Sequence, residues 1–590
     1  MIGDSMETSY GIWPTLAQFK ALVAQHQGWW VTDSETDGLA VLGPDSRDKA
    51  WIVGLNPLGT GAMLFFDCQD PEWPQCKEII EGLDLAGHNL RFDVHAMNLE
   101  PRGKLLDTML CQYHINTVGK KSLDDLAPRH RRRKLPTIPE LKGPKGEQND
   151  IRLLRQGNKH WAPHLLEYLA DDVHFTAFLA QWYIDRRQVH TLDGQVEKVV
   201  QRMEDRGVRL LTDRLEALAQ RIKPLVSHNE AVIRAAGFSG NLNSSPQLAE
   251  FLSARKYPFK VWEWNKTKRR RERKFSTNSK TVLEPYFDKT GDELIGALMM
   301  YRAWNKKHKD FCLTLPTFVQ ADGLVHGTIK TARTATGRFA HATPNLGQIP
   351  KQGKTDLERE VAKAFRACFQ GASGWTSGAD YSQVELRVAA ALSGDARMLE
   401  AFASGEDPHA STAAATSGHS VDNLPDGERF KAKATNFGIL NGMGAGRLAI
   451  GIKTTADEAQ RFIDKHRRAH PELHDWMAGV TLDANYSRMV EGIDGTALSY
   501  TPADGDVNNA VSMMVQGGAA VLMKHGLVAC EEAGLRPILS VHDEVVGDCK
   551  DKGDEYAEVM QEAANNAFPE LLGAVDFKAT GGAGETWAAV

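Results

Sequence analysis

Residues 375–395 read WTSGADYSQVELRVAAALSGD and pass from a strand-like into a helix-like pattern. The strand-like half ends at Asp380, and the helix-like half begins near Glu385. Because a carboxylate at the end of a strand is exposed, Asp380 can reach a bound ligand. The stretch therefore predicts a strand followed by a helix, with Asp380 as a candidate site residue.

A second carboxylate motif lies far along the chain, at residues 537–548, PILSVHDEVVGD. Two β-rich runs, 538–541 and 544–546, are joined tightly through His542 and Asp543. This pattern predicts a hairpin that exposes Asp543 at its turn.

Between these motifs, residues 429–442 read RFKAKATNFGILNG. Arg429, Lys433, Phe437 and Asn441 recur every four residues and fall along one helical face. Two cations and an aromatic ring on one stripe suit a triphosphate and a base. Taken alone, the same stripe is also typical of an amphipathic helix with solvated Lys and Arg.

Three further segments near the N-terminus carry carboxylates. In WWVTDSETDG (29–38), Asp33 and Glu35 are two apart on a predicted strand and leave the same face. In GHNLRFD (87–93) and YLADD (168–172), side chains four apart would share a helical face. Each pair alone is common in acidic sequences, and a solvated helix face is the alternative interpretation.

In this order, the three segments resemble the motifs of proofreading 3'-5' exonucleases of the DnaQ-like, RNase H-fold family. The resemblance implies two Mg²⁺ or Mn²⁺ ions held by four carboxylates, Asp33, Glu35, Asp93 and Asp172. It also implies that Tyr168 orients the attacking water. Asn89 would support the site or contact the DNA strand rather than bind a metal.

DYSQVELR (380–387), the R…K…FG spacing and VHDE (541–544) resemble motifs A, B and C of family A DNA polymerases. TARTATGRFAHATPNLGQIP (331–350) is similar to another stretch of that family, and MEDRGVRL (203–210) to the start of its thumb. The resemblance spans about residues 29 to 590. PNLGQIP is closer to phage replicative enzymes, and KATNFG is closer to the large fragment of bacterial polymerase I.

The resemblance implies a two-metal polymerase site. Asp380 and Asp543 would bind two Mg²⁺ ions, with Glu544 as an accessory carboxylate. Mn²⁺ would substitute for Mg²⁺.

The remaining roles concern nucleotide and DNA. Arg429 and Lys433 would grip the β- and γ-phosphates of a deoxynucleoside triphosphate, and Lys433 would donate a proton to pyrophosphate. The other implied nucleotide contacts are a phosphate contact from His409, stacking from Phe437 and exclusion of a ribose 2'-OH by Glu385. Three residues would contact the primer-template minor groove and primer end: Arg338, Gln516 and His542.

Asn441 departs from the family pattern, which has Tyr at this position. A small amide loses the stacking of the ring and brings a hydrogen-bonding group. Two interpretations stay open: neutral drift or compensation by a neighbour, and altered base selection that tolerates a modified base.

The expected fold class is multidomain, α/β and α+β, with an RNase H-like exonuclease domain followed by a right-hand polymerase. The predicted boundaries are exonuclease 1–190, thumb 191–315, palm 316–395, fingers 396–508 and second palm part 509–590. The thumb region leaves no evident room for an insertion that binds a thioredoxin-like processivity factor. Because the chain begins with the exonuclease motifs, a 5' nuclease module is not expected.

The basic run KTKRRRERK (266–274) has seven basic residues among nine and is expected in a helical arm. It is either a solvated, mobile segment or a surface that contacts DNA phosphates. A second basic run, residues 129–134, precedes a predicted long loop at 135–150.

The 590 residues are 42% hydrophobic and 25% charged, which excludes disordered and fibrous classes. The net charge of −6 argues against binding by bulk positive charge, although charge can be locally patterned. Seven scattered cysteines without a CxxC pair indicate a reducing, cytoplasmic setting. With no signal peptide and no run of about 18 apolar residues, neither a membrane span nor a membrane partner is expected.

These features predict a monomeric DNA-dependent DNA polymerase with proofreading that replicates a phage genome in the cytoplasm of a bacterial host. Its partners would be primer-template DNA and deoxynucleoside triphosphates. One rival is a single-subunit RNA polymerase, against which Glu385 and the exonuclease motifs argue. The other is a catalytically dead DNA-binding scaffold, against which the complete carboxylate sets argue.

Overall fold

The computed structural model describes residues 6–38, 40–44, 49–136, 151–265, 270–499 and 509–590. Most of the predicted loop at 135–150 lies outside these ranges. So do residues 266–269 of the basic run and residues 500–508 at the end of the predicted fingers.

The N-terminal region is built on a mixed sheet of seven strands in the order β1-β2-β5-β4-β3-β6-β7. Central β3 is antiparallel to β4 and parallel to β6. The strands, with the small hairpin β8–β9, are β1 Met6–Thr8, β2 Gly11–Trp13, β3 Trp30–Thr36, β4 Ala50–Pro57, β5 Leu64–Asp67, β6 Leu85–Gly87, β7 Leu105–Asp107, β8 Arg155–Gly157 and β9 His160–Trp161.

Alternating side chains of this sheet feed two hydrophobic clusters. Trp30 and Leu85 pack in one cluster, while their neighbours Val31 and Ala86 pack in the other. Residues 29–110 alternate strands and helices and form a mixed α/β region. The helices of this region are α1 Leu16–Gln25, α2 Trp73–Glu81, α3 Leu90–Ala96, α4 Thr108–Ile115, α5 Leu123–Leu126 and α6 Pro163–Asp185.

Next follows a helical region with short strands. In α11, Leu298 and Tyr301 are buried. The elements are α7 Thr191–Arg206, β10 Val208–Leu210, α8 Thr212–Ala235, α9 Ser245–Ala254, β11 Lys260–Asn265, β12 Arg270–Phe275, α10 Glu284–Thr290, α11 Glu293–Lys306, β13 Leu324–Val325, β14 Thr328–Lys330, β15 Ala340–Ala342, α12 Asp356–Arg366 and β16 Phe369–Gln370.

The prediction of a helical arm around the basic run 266–274 is wrong. Residues 270–274 belong to β12, which pairs with β11 in an antiparallel hairpin. The physical reason is a period of two in β11: Val261 packs against the hydrophobic cluster of this region, while its neighbour Trp262 is 65% exposed. The described cations therefore lie on a β-ribbon.

A four-stranded antiparallel sheet, ordered β20-β21-β17-β22, lies at the centre of the C-terminal half. Helices α7, α20 and α21 contribute to its core, and the apolar face of α7 (Val196, Val199, Val200 and Met203) is buried there. The elements are β17 Thr376–Tyr381, α13 Val384–Ser393, α20 Asn509–Glu532, β20 Pro537–Val541, β21 Glu544–Gly547, α21 Gly553–Ala567, α22 Pro569–Leu572 and β22 Ala579–Gly584.

Between α13 and α20 the chain forms a helical lobe. Its elements are α14 Ala396–Ser404, α15 Pro408–Ser417, α16 Glu428–Leu440, α17 Ala445–Gly451, α18 Ala456–Ala469, α19 Pro471–Ser487, β18 Met489–Glu491 and β19 Ala497–Ser499. Helix α20 is long and apolar enough to cross a membrane, but 78% of its apolar window is buried inside the fold. Its composition is thus explained by its place in the core.

Ion pairs and a hydrogen bond connect helices α3 and α4 of the N-terminal region to the rest of the molecule. Arg91 on α3 lies 2.5 Å from Glu197 and 3.1 Å from Glu204, both on α7. The Tyr113 hydroxyl on α4 donates to the carbonyl oxygen of Thr334 (2.9 Å). The two halves therefore meet along α7 and the loop before β15.

Candidate active sites

Strand pairing brings Asp380 close to Asp543. Asp380 on β17 is in register with Glu544, the first residue of β21. The backbone N–H of Tyr381 donates to the carbonyl oxygen of Asp543 (2.9 Å). His542, with a left-handed φ of 57°, makes the predicted tight turn. Both carboxylates therefore lie at the same end of the four-stranded sheet.

Arg338 lies between two acidic side chains of this site. Its Nη2 atom is 2.5 Å from Glu385 Oε1 and 3.5 Å from Asp543 Oδ1. Burial raises the pKa of Asp543; Arg338 opposes this shift, while Glu385 and Asp380 reinforce it. Arg338 and His542 also line one cleft of about 290 Å³, so two of the predicted DNA contacts lie together.

Glu544 is held by several partners rather than exposed to a ligand. Arg366 donates to both of its oxygens (2.9 Å each), and the indole Nε1 of Trp587 donates to Oε1 (2.6 Å). The guanidinium of Arg366 also lies 4.2 Å from the Trp587 ring centroid. With its side chain 1% exposed, Glu544 anchors the start of β21 and thereby the turn that carries Asp543.

Lys351 bridges the predicted metal ligand and this anchor. Its Nζ is 2.7 Å from Asp380 Oδ2 and 3.1 Å from Glu544 Oε2. Burial acts to lower the pKa of Lys351, but Glu544 and Asp380 together raise it. Lys351, Arg366 and Trp587 were not singled out from the sequence. They lie 193, 178 and 43 residues from Glu544 along the chain, so no local spacing signals the contacts.

The face predicted for α16 exists. Arg429 and Lys433 are exposed, Phe437 is half-buried, and Asn441 caps the C-terminal end. Arg429 Nε donates to Asp407 Oδ2 (2.5 Å), just before α15. The His409 ring on α15 is 2% exposed and its centroid lies 5.6 Å from that of Phe437. The predicted phosphate-binding and stacking residues therefore form one group.

A cleft of about 480 Å³ opens beside Arg429. Its lining also includes Ser382, Gln383 and Lys578, which the sequence reasoning missed. Gln383 has a left-handed φ of 55° at the turn between β17 and α13. The cleft lies next to the end of the strand that carries Asp380 and presents the cations Arg387, Arg429 and Lys578 together with the carboxylates of Glu406 and Asp407.

Asn441 belongs to a chain of hydrogen bonds. Its Nδ2 donates to the carbonyl oxygen of Phe437 (2.7 Å), and its Oδ1 accepts from Ser512 Oγ (2.8 Å). Ser512 in turn accepts from Gln516 Nε2 (3.1 Å). The Asn441 amide thus joins the end of α16 to α20 and to the predicted DNA contact Gln516.

The N-terminal carboxylates also converge. Asp33 and Glu35 leave one face of β3, and between them Ser34 donates to Asp93 Oδ1 from both its backbone N–H (2.9 Å) and its hydroxyl (2.7 Å). Helix α6 supplies Asp172, and the same cluster includes it electrostatically. Four acids from β3, α3 and α6 therefore form one cluster, as predicted from three separate segments.

These carboxyl groups are hard to ionise because they are buried close to one another. Burial, followed by the neighbouring acids, raises the pKa of Asp33 well above its usual range and that of Glu35 to about 8. Burial likewise raises the pKa of Asp93 to about 7 despite the Ser34 hydrogen bonds. A dense set of oxygen ligands with surplus negative charge is the donor set that Mg²⁺ and Mn²⁺ prefer.

One lysine offsets part of this charge. Lys134 Nζ lies 2.7 Å from Asp172 Oδ1 and 4.7 Å from the centroid of the Tyr168 ring. The Nζ group also donates to the Tyr168 hydroxyl (3.5 Å). The sequence analysis noted Lys134 only as the end of a basic run, because nothing local links it to the acids.

The structure corrects the placement of Asn89. It does not share a helical face with Asp93, because α3 begins after it and Asn89 is left-handed (φ 61°). Its backbone N–H donates to Asp107 Oδ1 (3.0 Å), and the other oxygen of Asp107 accepts from Leu90 N. Asp107 thus stabilises the bend that brings α3 to β3.

A third group of possible ligands consists of His114, His190 and Asp494, with ligand atoms within 4.8 Å of one another. The two rings stack 3.7 Å apart at 12°, so a single ion cannot lie in the plane of both. His114 instead contacts Asp193 Oδ2 and Thr496 Oγ1 (2.5 Å each). This group joins α4 to α7 and to the β18–β19 turn.

Residues 211–589 match the family model described as DNA polymerase family A. The chain belongs to this family. It is 32% identical over 412 residues to the thermostable DNA polymerase I of Thermus thermophilus, covering 67% of this chain and 48% of that protein. DNA polymerase I of Synechocystis is 27% identical over 527 residues, covering 81% of this chain and 51% of that protein. This family A chain thus spans about half the length of the curated relatives it matches.

A solved structure extends the comparison to the whole fold. The POL domain of Pol1 from M. smegmatis, in complex with DNA primer-template and dNTP, superposes with a TM-score of 0.79 at 22% identity. The match covers 98% of this chain and 99% of that one. The family resemblance and the multidomain polymerase fold are therefore confirmed. The domain boundaries and the roles of individual site residues stay predictions.

Proposed function

We propose that this family A chain is a template-directed DNA polymerase with a 3'-5' proofreading exonuclease in its N-terminal region. The observation that carries the proposal is the placement of Asp380 and Asp543 at the same end of one sheet, where Arg429 of α16 lines a cleft together with Ser382 and Gln383 just after Asp380. Primer-template DNA and deoxynucleoside triphosphates are the proposed partners, supported by the contents of the M. smegmatis complex.

At the polymerase site, Asp380 and Asp543 would hold two Mg²⁺ ions, for which Mn²⁺ would substitute. Bound there, the ions would lower the pKa of the primer 3'-hydroxyl and neutralise charge on the α-phosphate. Arg429, Lys433 and His409 bind the triphosphate, and Lys433 donates a proton to the departing pyrophosphate.

Several residues shape the polymerase site without binding metal. Glu544, held by Arg366 and Trp587, fixes the turn that carries Asp543. Glu385 restricts the space beside the sugar, which favours deoxynucleotides. Phe437 packs against the sugar and base.

At the exonuclease site, the acids on β3, α3 and α6 would hold two divalent ions that activate water and stabilise the leaving 3' oxygen. Tyr168, near Asp172 and Lys134, positions the attacking water. The support is the convergence of Asp33, Glu35, Asp93 and Asp172 with raised pKa values.

The decisive experiment incubates a labelled primer-template with Mg²⁺, with and without nucleotides. Asp33→Ala should extend the primer but not degrade it, and Asp543→Ala should degrade but not extend. Extension and degradation that both survive both substitutions would reject the two-site assignment. Extension with ribonucleotides as efficient as with deoxynucleotides would favour an RNA polymerase instead.

We further propose that Asn441 alters base selection, so that a modified base is accepted. The support is its hydrogen-bonded link to Ser512 and Gln516 where the family has an aromatic ring. Asn441→Tyr should change the misincorporation spectrum in steady-state assays. A spectrum identical to that of the wild type would contradict this role.

The biological setting follows from the same proposal. A monomer that replicates a phage genome in the bacterial cytoplasm is supported by the PNLGQIP pattern at 344–350 and by seven cysteines that are all unpaired. Sedimentation with and without primer-template DNA would test the monomer.

A further inference from the structure

A buried polar network lies behind the nucleotide-facing helix α16. Its hub is Asn436, which directly precedes Phe437 and is 7% exposed. The Asn436 amide contacts three side chains from two other helices: His409 Nδ1 (3.2 Å), Thr412 Oγ1 (3.1 Å) and His466 Nε2 (3.0 Å). Because each of these groups is itself buried, the hydrogen bonds have to be mutually compatible.

The single hydroxyl proton of Thr412 determines which way the Asn436 amide faces. The Thr412 hydroxyl has one proton, which goes either to the carbonyl oxygen of Pro408 (2.8 Å), one turn earlier in α15, or to His470 Nε2 (3.1 Å). Toward Asn436 the hydroxyl oxygen can then only accept. The Nδ2 group of Asn436 therefore faces Thr412 and His409, and its Oδ1 faces His466.

The far side of the network agrees with this orientation. Since Asn436 Oδ1 accepts, His466 Nε2 carries a proton and its Nδ1 is free to accept. His474 Nε2 lies 3.0 Å from that Nδ1 and supplies the matching proton. A single set of tautomers thus satisfies the contacts from Thr412 to His474.

This orientation of Asn436 determines the tautomer of His409. Its Nδ1 accepts from Asn436, so in the neutral ring the proton is on Nε2, on the other side of the ring. The charged groups around His409 are Arg429 and Lys433 on α16 and Asp407 at the start of α15. Burial, assisted by Lys433 and Arg429 against Asp407, lowers the pKa of His409 to about 4. The ring is thus neutral at working pH and has one proton to donate.

We propose that Asn436 is a positioning residue that holds His409 in the tautomer whose Nε2–H donates to the phosphates of the incoming nucleotide. This inference rests on the proposed polymerase function. A neutral ring with the opposite tautomer would present a lone pair to an anion. One amide hydrogen bond therefore decides whether His409 attracts or repels the nucleotide.

The test replaces the amide with a group that can only accept, Asn436→Asp, at nearly constant size. The carboxylate draws the proton to His409 Nδ1 and raises its pKa, so the phosphate-facing donor is lost at pH 8 and restored by protonation at pH 6. Affinity for the correct deoxynucleoside triphosphate is measured on a dideoxy-terminated primer-template with Mg²⁺. We expect Kd to rise about tenfold at pH 8, the size of one lost hydrogen bond, and to return to within about twofold at pH 6.

Two further variants separate this effect from a structural one. Asn436→Leu should weaken binding at both pH values, since it neither orients the ring nor raises its pKa. In a His409→Gln background, Asn436→Asp should lose its pH dependence. A folded Asn436→Asp variant with the same Kd at pH 6 and pH 8 would overturn the inference, and so would an unchanged pH dependence in the His409→Gln background.

A direct measurement covers the case in which Asn436→Asp does not fold. ¹⁵N chemical shifts of labelled histidine, assigned by difference from His409→Gln, report the tautomer in the wild type. The Nε2–H form is expected, and the Nδ1–H form would overturn the inference. Failure of the wild type to extend any primer would instead reject the proposed function, so the two failures are distinguishable.

Discussion

The two carboxylate clusters of this chain differ in how their charge is balanced. At the proposed polymerase site, cationic side chains lie against the acids: Lys351 on Asp380 and Glu544, Arg338 on Glu385, and Arg366 on Glu544. At the proposed exonuclease site, four acids share one lysine, Lys134, among the residues that the structure describes. Among the described residues, the acids of the first site are largely paired with cations, whereas the acids of the second outnumber their cations and hold protons through their raised pKa values.

This difference has physical consequences for stability and for metal binding. An ion pair in the interior is costly to break, because the partner left behind is a buried, unpaired charge. A cluster of like charges responds instead by taking up protons or cations. Perturbations of the polymerase site should therefore change folding most, whereas perturbations of the exonuclease site should change metal and proton binding.

The largest effect is expected from Arg366→Met, which removes the two hydrogen bonds that Arg366 donates to Glu544 and leaves those from Trp587 and Lys351. We expect a loss of about 3–5 kcal/mol of local stability, the range measured for breaking buried pairs. Hydrogen exchange of the β17 and β21 amides measures this locally, which avoids assuming two-state unfolding of a multidomain chain. Primer extension should fall in parallel.

The control for this change is on the same helix. Arg359→Met removes an exposed pair with Asp356 and should alter stability by less than about 0.5 kcal/mol. If both variants exchanged their β17 and β21 amides as slowly as the wild type, Glu544 would not depend on Arg366. The contrast between the two clusters would then fail.

Whether a site residue could be predicted from the sequence depends on how far along the chain it lies from the residues it contacts. Asp380, Asp543 and the α16 stripe were predicted because a strand end, a tight turn and a four-residue spacing are local patterns. Lys351, Arg366 and Lys134 were missed because their partners are brought together only by tertiary folding. The network around Asn436 was missed for the same reason.

The error at the basic run has a different cause. Its charge density was given more weight than its periodicity, although Val261 and Trp262 already alternate in the adjoining strand. In the structure, Val261 packs inward and Trp262 is exposed, which is the period of a strand rather than of a helix. Charge composition indicates what a segment contacts, but periodicity indicates its conformation.

Magnesium binding should distinguish the two clusters through a smaller effect, on thermal stability. An ion that binds only the folded state stabilises it by about 2.7 kcal/mol at 100 times its Kd. Because the exonuclease acids outnumber their described cations, Asp33→Ala should remove more of the Mg²⁺-dependent rise in Tm than Asp380→Ala. Thermal unfolding over a Mg²⁺ titration measures this, and equal losses in the two variants would contradict the expectation.

Without divalent ions, the exonuclease cluster should make stability depend on pH. Burial and the neighbouring acids raise the pKa of Glu35 to about 8, and burial raises that of Asp93 to about 7. Because these pKa values are higher in the folded than in the unfolded chain, stability is lost as pH rises toward 8. In chelator, Tm of the N-terminal transition should rise by about 2–4 °C between pH 8 and pH 6. Glu35→Gln should flatten this trend, and a Tm that falls toward pH 6 would contradict it.

The smallest expected effect comes from the lysine of each cluster. Lys134→Met removes a cation that competes with metal for Asp172, so the Mg²⁺ concentration for half-maximal nuclease activity should fall by a few-fold, equivalent to less than about 1 kcal/mol. Lys351→Met is the matched change at the other site and should lower the Mg²⁺ requirement of extension alone. If Lys134→Met instead raised the requirement for degradation, the lysine would support metal binding rather than compete with it. In both clusters, a cationic side chain and metal ions would then bind the same acids at the same time.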